Sequence, residues 1–272
     1  MVDRKIRSHA GNRLSGAASV PGDKSIAHRV LLLGAVAKGT TFAKGVPAGD
    51  DLTATIRCLQ GLGVTCERSR DAVSVVGVGR NRFAIPAEPL DCGGSATSLR
   101  LLLGAIAAKG QRATLTGNES LRGRPMDRVI EPLSLMGATF DAAEGNRYPP
   151  VTIVSPETLH AVEYVLPVAS AQVKSAIIMA GLSAGPDRTV IRGAIGSRDH
   201  TERMIPRMGG RVVVTPDSIV VEKSELNAIA VTIPGDPSSA AFLAAAAAVM
   251  RGSRITIQSV STNPTRTGFL DA

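Results

Sequence analysis

The sequence predicts an α/β protein whose main domain has pseudo-threefold symmetry and is built from repeated βαβαββ units. Three observations predict this. Four segments open on a Ser near a helix start, run through small apolar residues, stop at a Gly and continue into a β-branched stretch. The stopping glycines recur about every 70 residues, a period longer than the common solenoid repeats. Each of the first three segments is followed by an amphipathic stretch that ends in Gly and leads into more β-branched residues.

The elements follow in order. The Ser-headed segments are SIAHRVLLLGAVAKGTTF from Ser25, SATSLRLLLGAIAAKGQRATLTG from Ser95, SAQVKSAIIMAGLSAGPDRTVIRG from Ser170 and SSAAFLAAAAAVMRGSRITIQSV from Ser238. Their stopping glycines, Gly39, Gly110, Gly185 and Gly252, are expected as helix C-caps in the left-handed conformation that glycine adopts without a Cβ clash. The second helices are DDLTATIRCLQGLG, MDRVIEPLSLMG and HTERMIPRMGG, closing at Gly63, Gly137 and Gly209. A fourth unit begins near Val231 and reaches its own second helix in NPTRTGFLDA. Residues 20–235 are therefore expected to hold a complete three-repeat domain, with residues 1–19 and 236–272 forming part of a second.

Composition narrows the function. The chain is 44% hydrophobic with 20% charged residues, as globular proteins are. Its formal charge of +8 suits an anionic partner. Five Phe, two Tyr and no Trp leave few stacking platforms for single-stranded nucleic acid, so small anions rank first and no nucleic-acid partner is expected. Cys58, Cys66 and Cys92 show neither disulfide nor zinc spacing. The apolar helix near residues 240–250 is too short to span a bilayer, and the N-terminus has no signal-like apolar core, so a cytoplasmic protein with no membrane partner is expected.

The chemistry is expected at the helix starts, where unpaired N–H groups and the positive end of the helix dipole make anion sites. Any one Ser there is more often a simple N-cap, but several starts with nearby cations favour a ligand. In PGDKSIAHR, Lys24, Ser25 and Arg29 can converge on one anion, because Arg29 lies about one turn beyond Ser25. In the fourth segment, PGDPSSAAF keeps the turn but has Pro237 in place of the Lys, which marks it as structural.

PGDKSIAHR resembles the N-terminal signature of the 5-enolpyruvylshikimate-3-phosphate synthases, and further motifs extend the resemblance over essentially the whole chain. DCGGSATSLR is similar to the family's Gly-Asn-(Ala/Ser)-Gly-Thr-x-x-Arg segment, with Gly94 standing for the usual Asn and Ala96 for the usual Gly. The resemblance implies that Lys24, Gly94, Ala96, Thr97, Gln172 and Arg124 of the Arg-Pro pair face phosphoenolpyruvate. It also implies that Lys24, Ser25, Arg29, Ser170, Ala171, Gln172, Ser197 and Arg198 hold shikimate 3-phosphate. Lys24 is the candidate catalytic residue, a Lys among cations whose pKa can fall toward working pH.

A two-domain fold of the inside-out α/β barrel type is implied, monomeric at full length, that moves the enolpyruvyl group to the substrate's 5-hydroxyl with no metal or organic cofactor. The Ala96 methyl is expected to exclude glyphosate more than the shorter substrate, which inhibition of an Ala96→Gly form would test. The family's remaining catalytic groups would come from beyond Ala272, so the chain by itself is expected to be inactive. The alternatives are a related transferase acting on a nucleotide sugar and an inactive fragment that only binds shikimate 3-phosphate.

Overall fold

The computed structural model describes residues 11 and 13–270. The parts of the expected second domain at residues 1–10, 12, 271 and 272 lie outside the described residues. In chain order, β1 (Ser15–Ser19) precedes α1 (Lys24–Val36), β2 (Lys38–Lys44), α2 (Asp50–Gly61), β3 (Thr65–Arg68) and β4 (Ala72–Val78). Next come β5 (Leu90–Asp91), α3 (Ala96–Ala108), β6 (Arg112–Thr116), the short α4 (Glu119–Arg122), α5 (Asp127–Leu135), β7 (Thr139–Ala142), the single turn α6 (Ala143–Asn146) and β8 (Tyr148–Val154). Then follow β9 (Glu163–Leu166), α7 (Ala171–Gly181), β10 (Thr189–Gly193), α8 (His200–Arg207), β11 (Arg211–Val214) and β12 (Ser218–Glu222). The last elements are β13 (Ala230–Thr232), α9 (Pro237–Val249), β14 (Arg254–Gln258) and a 3₁₀ turn at Gly268–Leu270.

Two compact units result. The larger spans Lys24–Ile233. It holds three four-stranded sheets with orders β13-β2-β4-β3, β5-β6-β8-β7 and β9-β10-β12-β11. In each, the first pair is parallel and the other two are antiparallel. The first sheet takes its edge strand, β13, from the end of the unit, where it runs beside β2 from Ala230↔Phe42 to Thr232↔Lys44. The smaller unit joins the described residues up to Asp23 with those from Pro234 onward. In it β1 pairs in parallel with β14, Ser15↔Arg254 through Ser19↔Gln258, and Asp236 caps α9 by accepting from the Ser238 amide at 2.8 Å.

The hydrophobic pattern explains the layering in the larger unit. α1, α3 and α7 are apolar on nearly every face and are buried along most of their length, as helices without a polar side must be. α2, α5 and α8 are amphipathic and bury one side. Leu99, Leu101, Leu102, Leu103 and Ile106 of α3 are fully buried. α3 and α7 come so close that a Cβ on Gly104 would stand 2.6 Å from Ala176 Cα, a contact only glycine permits.

Two expectations are corrected and one element is added. Gly110 is left-handed, with φ +58°, and a Cβ there would meet Pro156 O at 2.8 Å, but Gly185 is not among the positive-φ glycines. Instead its N–H donates to Leu159 O at 2.8 Å beside the Leu159↔Ala184 bridge, so tertiary pairing sets the exit from α7. Residues 263–270 form no α-helix. Asn263 Oδ1 accepts from the Thr265 amide at 3.0 Å, and this local turn competes with a helical start. The short α4 is also absent from the sequence reading; Asn118 caps it by accepting from Leu121 N at 3.0 Å.

Candidate active site

Within the larger unit, side chains at the starts of α1, α3, α7 and α8 are hydrogen-bonded to one another. Ser95 and Ser170 are true N-caps, accepting from Ser98 N at 3.1 Å and Val173 N at 3.4 Å. A capping hydroxyl oxygen still has its proton to donate, so the cap and an anion-ligand role are compatible. The first amides of each helix have no acceptor within it, and the positive end of the dipole lies there.

The expected residues assemble in two groups. Around α7, Gln172 Nε2 donates to Thr97 Oγ1 at 2.7 Å, while its Oε1 accepts from Arg100 Nη1 at 2.6 Å. Arg100 also donates to Pro125 O at 2.8 Å, which ties α3 to the segment carrying Arg124. Burial, followed by the nearby charges of Arg124 and Arg128, lowers the Arg100 pKa from its ordinary value, and Asp127 opposes this. Arg124 itself is exposed. Ala96 opens α3 and is buried, while Gly94 is exposed, and a Cβ there would lie 3.2 Å from Asn118 Nδ2. The Asn118 amide thus stands beside the position where the resemblance expects an Asn side chain.

The second group joins α1 to α7 and α8. Arg198 Nη1 donates to Ser25 Oγ at 3.1 Å. Ser197 Oγ is buried with no hydrogen-bond partner among the described residues, an arrangement that costs about 1–3 kcal/mol unless a ligand or water meets it. Arg29, expected as a ligand, is only 3% exposed. It donates to Ser25 O, Thr201 Oγ1, Ser175 Oγ and Ala171 O at 3.0, 2.7, 2.9 and 3.3 Å. It therefore ties three helix starts together from below.

Lys24 is exposed at the head of α1 and donates to Asp51 Oδ2 at 2.9 Å. Sequence reasoning set this Lys among cations, whereas the fold brings a carboxylate from α2 against it. The only trace in the sequence is the Asp50-Asp51 pair, which reads equally well as a helix opening. Two further side chains, His28 and Lys174, acquire their roles only from the fold. His28 Nδ1 lies 2.9 Å from Thr55 Oγ1, which lies 2.7 Å from Ser98 Oγ, a buried chain linking α1, α2 and α3. Burial lowers the His28 pKa to about 3 despite the opposing Asp51 charge. Lys174 Nζ pairs with Glu202 Oε1 at 2.6 Å and donates to Ile195 O at 3.0 Å, so it holds the turn that presents Ser197 and Arg198.

The structure thus gathers helix starts and cationic side chains, with Asp51 paired to Lys24 and the charge of Asp127 acting on Arg100. A family model described as EPSP synthase (3-phosphoshikimate 1-carboxyvinyltransferase) matches residues 8–272. A 3-phosphoshikimate 1-carboxyvinyltransferase of Streptococcus pyogenes serotype M3 is 42% identical over 272 residues, covering 100% of this chain and 63% of the relative. One from serotype M49 is 42% identical over 268 residues, covering 98% and 62%. The structure of an EPSP synthase from Acinetobacter baumannii superposes with a TM-score of 0.89 at 39% identity, covering 96% of this chain and 59% of that one. The chain therefore spans less than two thirds of the length of these relatives. With motifs, fold and the whole matched length in agreement, the chain belongs to the EPSP synthase family.

Proposed function

We propose that this chain holds shikimate 3-phosphate and phosphoenolpyruvate for transfer of the enolpyruvyl group to the 5-hydroxyl. The observation that carries the reading is the direct hydrogen bonding among the starts of α1, α3, α7 and α8, with Lys24, Arg100, Arg124 and Arg198 around them. The reaction needs the 5-hydroxyl to give its proton to a base as its oxygen adds to C2 of phosphoenolpyruvate, while C3 gains a proton. The C2–O bond to phosphate then breaks and C3 gives the proton back. Two anions must meet for this, and fixed cations and helix amides oppose their repulsion without reorganising.

In this reading Ser25, Ser170, Ser197, Arg198 and the amides of Ala171 and Gln172 bind the substrate phosphate and ring. Lys24 contacts both substrates and moves the proton. Thr97, Gly94, Ala96, Arg124 and Gln172 face phosphoenolpyruvate, and Arg29 sits beneath the phosphate to fix the helix starts. The three sheets with their helices are proposed as one repeated βαβαββ unit. Residues 20–235 would be a complete domain and the flanking segments part of a second, in a cytoplasmic enzyme that acts as a monomer at full length. The 272-residue chain by itself is proposed to bind substrate but not to turn it over, because its relatives use a greater length.

Calorimetric titration with shikimate 3-phosphate, with and without phosphoenolpyruvate, tests the reading. Saturable binding is expected, weakened about tenfold or more in Arg198→Ala through loss of a charge-assisted bond. Unchanged affinity in that variant removes Arg198 from the site, and preference for a nucleotide sugar selects the related transferase. Phosphate release by the chain with both substrates present is expected to be undetectable.

A further inference from the structure

A cavity of about 460 Å³ lies at the opposite ends of the three buried helices, lined by Val36 of α1, Ala108 of α3 and Leu182, which follows α7. Its size falls within the range of small-molecule sites. The apolar lining comes from Val36, Met179, Leu182 and Leu226, and five basic side chains, Lys38, Arg80, Arg82, Lys109 and Lys223, stand around it.

Basic residues at helix C-termini have an ordinary explanation, since they offset the negative end of the dipole. Here one carbonyl at each helix end already has a donor from elsewhere in the fold. Gly79 N donates to Ala37 O at 2.9 Å, Ser224 N to Leu182 O at 3.1 Å and Ser155 Oγ to Ala107 O at 3.0 Å. Magnitude also argues against dipole compensation alone. Five cations less the two lining carboxylates, Glu157 and Glu225, leave three positive charges. Three helix ends at roughly −0.5 each offset about half of that.

Arg82 pairs with Glu157 at 3.2 Å and Arg80 with Glu225. Lys38 and Lys223 have no carboxylate within 4.0 Å among the described residues. Lys109 Nζ is drawn inward onto Gly79 O, and burial lowers its pKa, with Glu225 opposing. A desolvated ammonium held by a neutral carbonyl is a group that an incoming anion would stabilise.

The geometry points to a second ligand site in this cavity, for a small organic dianion whose apolar ring rests on Val36, Met179 and Leu226 and whose charge meets Lys38, Lys109 and Lys223. No helix start contributes to it, so it is separate from the site described above.

Phenyl phosphate is the probe, titrated into the ¹⁵N-labelled 272-residue chain with inorganic phosphate in a parallel series. Saturable shifts are expected at the amides of Gly79, Ser183 and Leu226. Phenyl phosphate affinity should fall about tenfold in Lys38→Met/Lys223→Met, two exposed positions where an unchanged amide dispersion checks the fold, and stay unchanged in Arg198→Ala. The site is overturned if those amides do not move, or if only Arg198→Ala weakens the response. Inorganic phosphate binding as tightly as the phenyl ester overturns the role given to the apolar lining.

Discussion

His28 is fully buried one turn into α1, with Nδ1 against Thr55 and Nε2 lacking a partner among the described residues. Its pKa of about 3 lies below the ordinary value of 6.5, because burial disfavours the charged ring. The folded protein therefore keeps the ring neutral while the unfolded chain takes up a proton as pH falls through 6.5. Stability that is complete above pH 6.5 is lost progressively between 6.5 and about 3, at roughly 1.4 kcal/mol per pH unit. Urea unfolding at pH 7.5, 6.5 and 5.5 should show this slope in the parent chain and a flatter one in His28→Gln. Equal slopes would show that another group carries the dependence. Lys24, Ser25 and Arg29 were legible in PGDKSIAHR because a hydroxyl and cations at a helix start suit an anion, whereas Thr97 and Arg198 were named only through the family resemblance. His28 was not legible, because a His inside an apolar helix looks the same whether or not a hydroxyl chain meets it.

At the scale of elements, α7 and α8 are locked by Lys174 and Glu202, whose side chains are only 2% and 3% exposed. Breaking such a pair strands a buried charge and costs about 3–5 kcal/mol, although the intact pair gains little over apolar residues of similar size. Lys174→Met should therefore lower stability by about that amount, and Lys174→Met/Glu202→Leu by clearly less than the sum of the single changes. Denaturant midpoints for the three variants check this, and additive losses would mean the two groups do not depend on each other. Lys174 lies two residues beyond Gln172 in the sequence, so spacing alone left its role open. The structure turns it to the turn at Ile195 and Ser197, away from the bonds that Gln172 makes to Thr97 and Arg100.

At the scale of the whole molecule, the larger unit closes on itself because β13 returns beside β2 and completes the first sheet. A chain of residues 20–235 is expected to fold alone and unfold in one cooperative transition. With no Trp and two Tyr in the sequence, far-UV circular dichroism and amide dispersion are the suitable readouts. A broad transition, or a collapsed amide spectrum, would count against an independent domain. In the smaller unit, Phe242 and Val249 of α9 are 81% and 83% exposed, so that unit is excluded from the test.

The order of helices and strands was readable because hydrophobic periodicity, Ser at helix starts and Gly after helix ends are local properties of the chain. The runs of small apolar residues in α1, α3 and α7 were visible in the sequence, and the structure buries them. Pairing between distant segments was decided only in three dimensions. Asp51 meets Lys24 across 27 residues, Arg29 reaches Thr201 across 172 and Gln172 reaches Thr97 across 75. Such contacts leave no periodic trace, since each partner is compatible by itself with a solvated helix start. Only the packing of the helices determines which of them come together and which, like Arg29, hold the others in place.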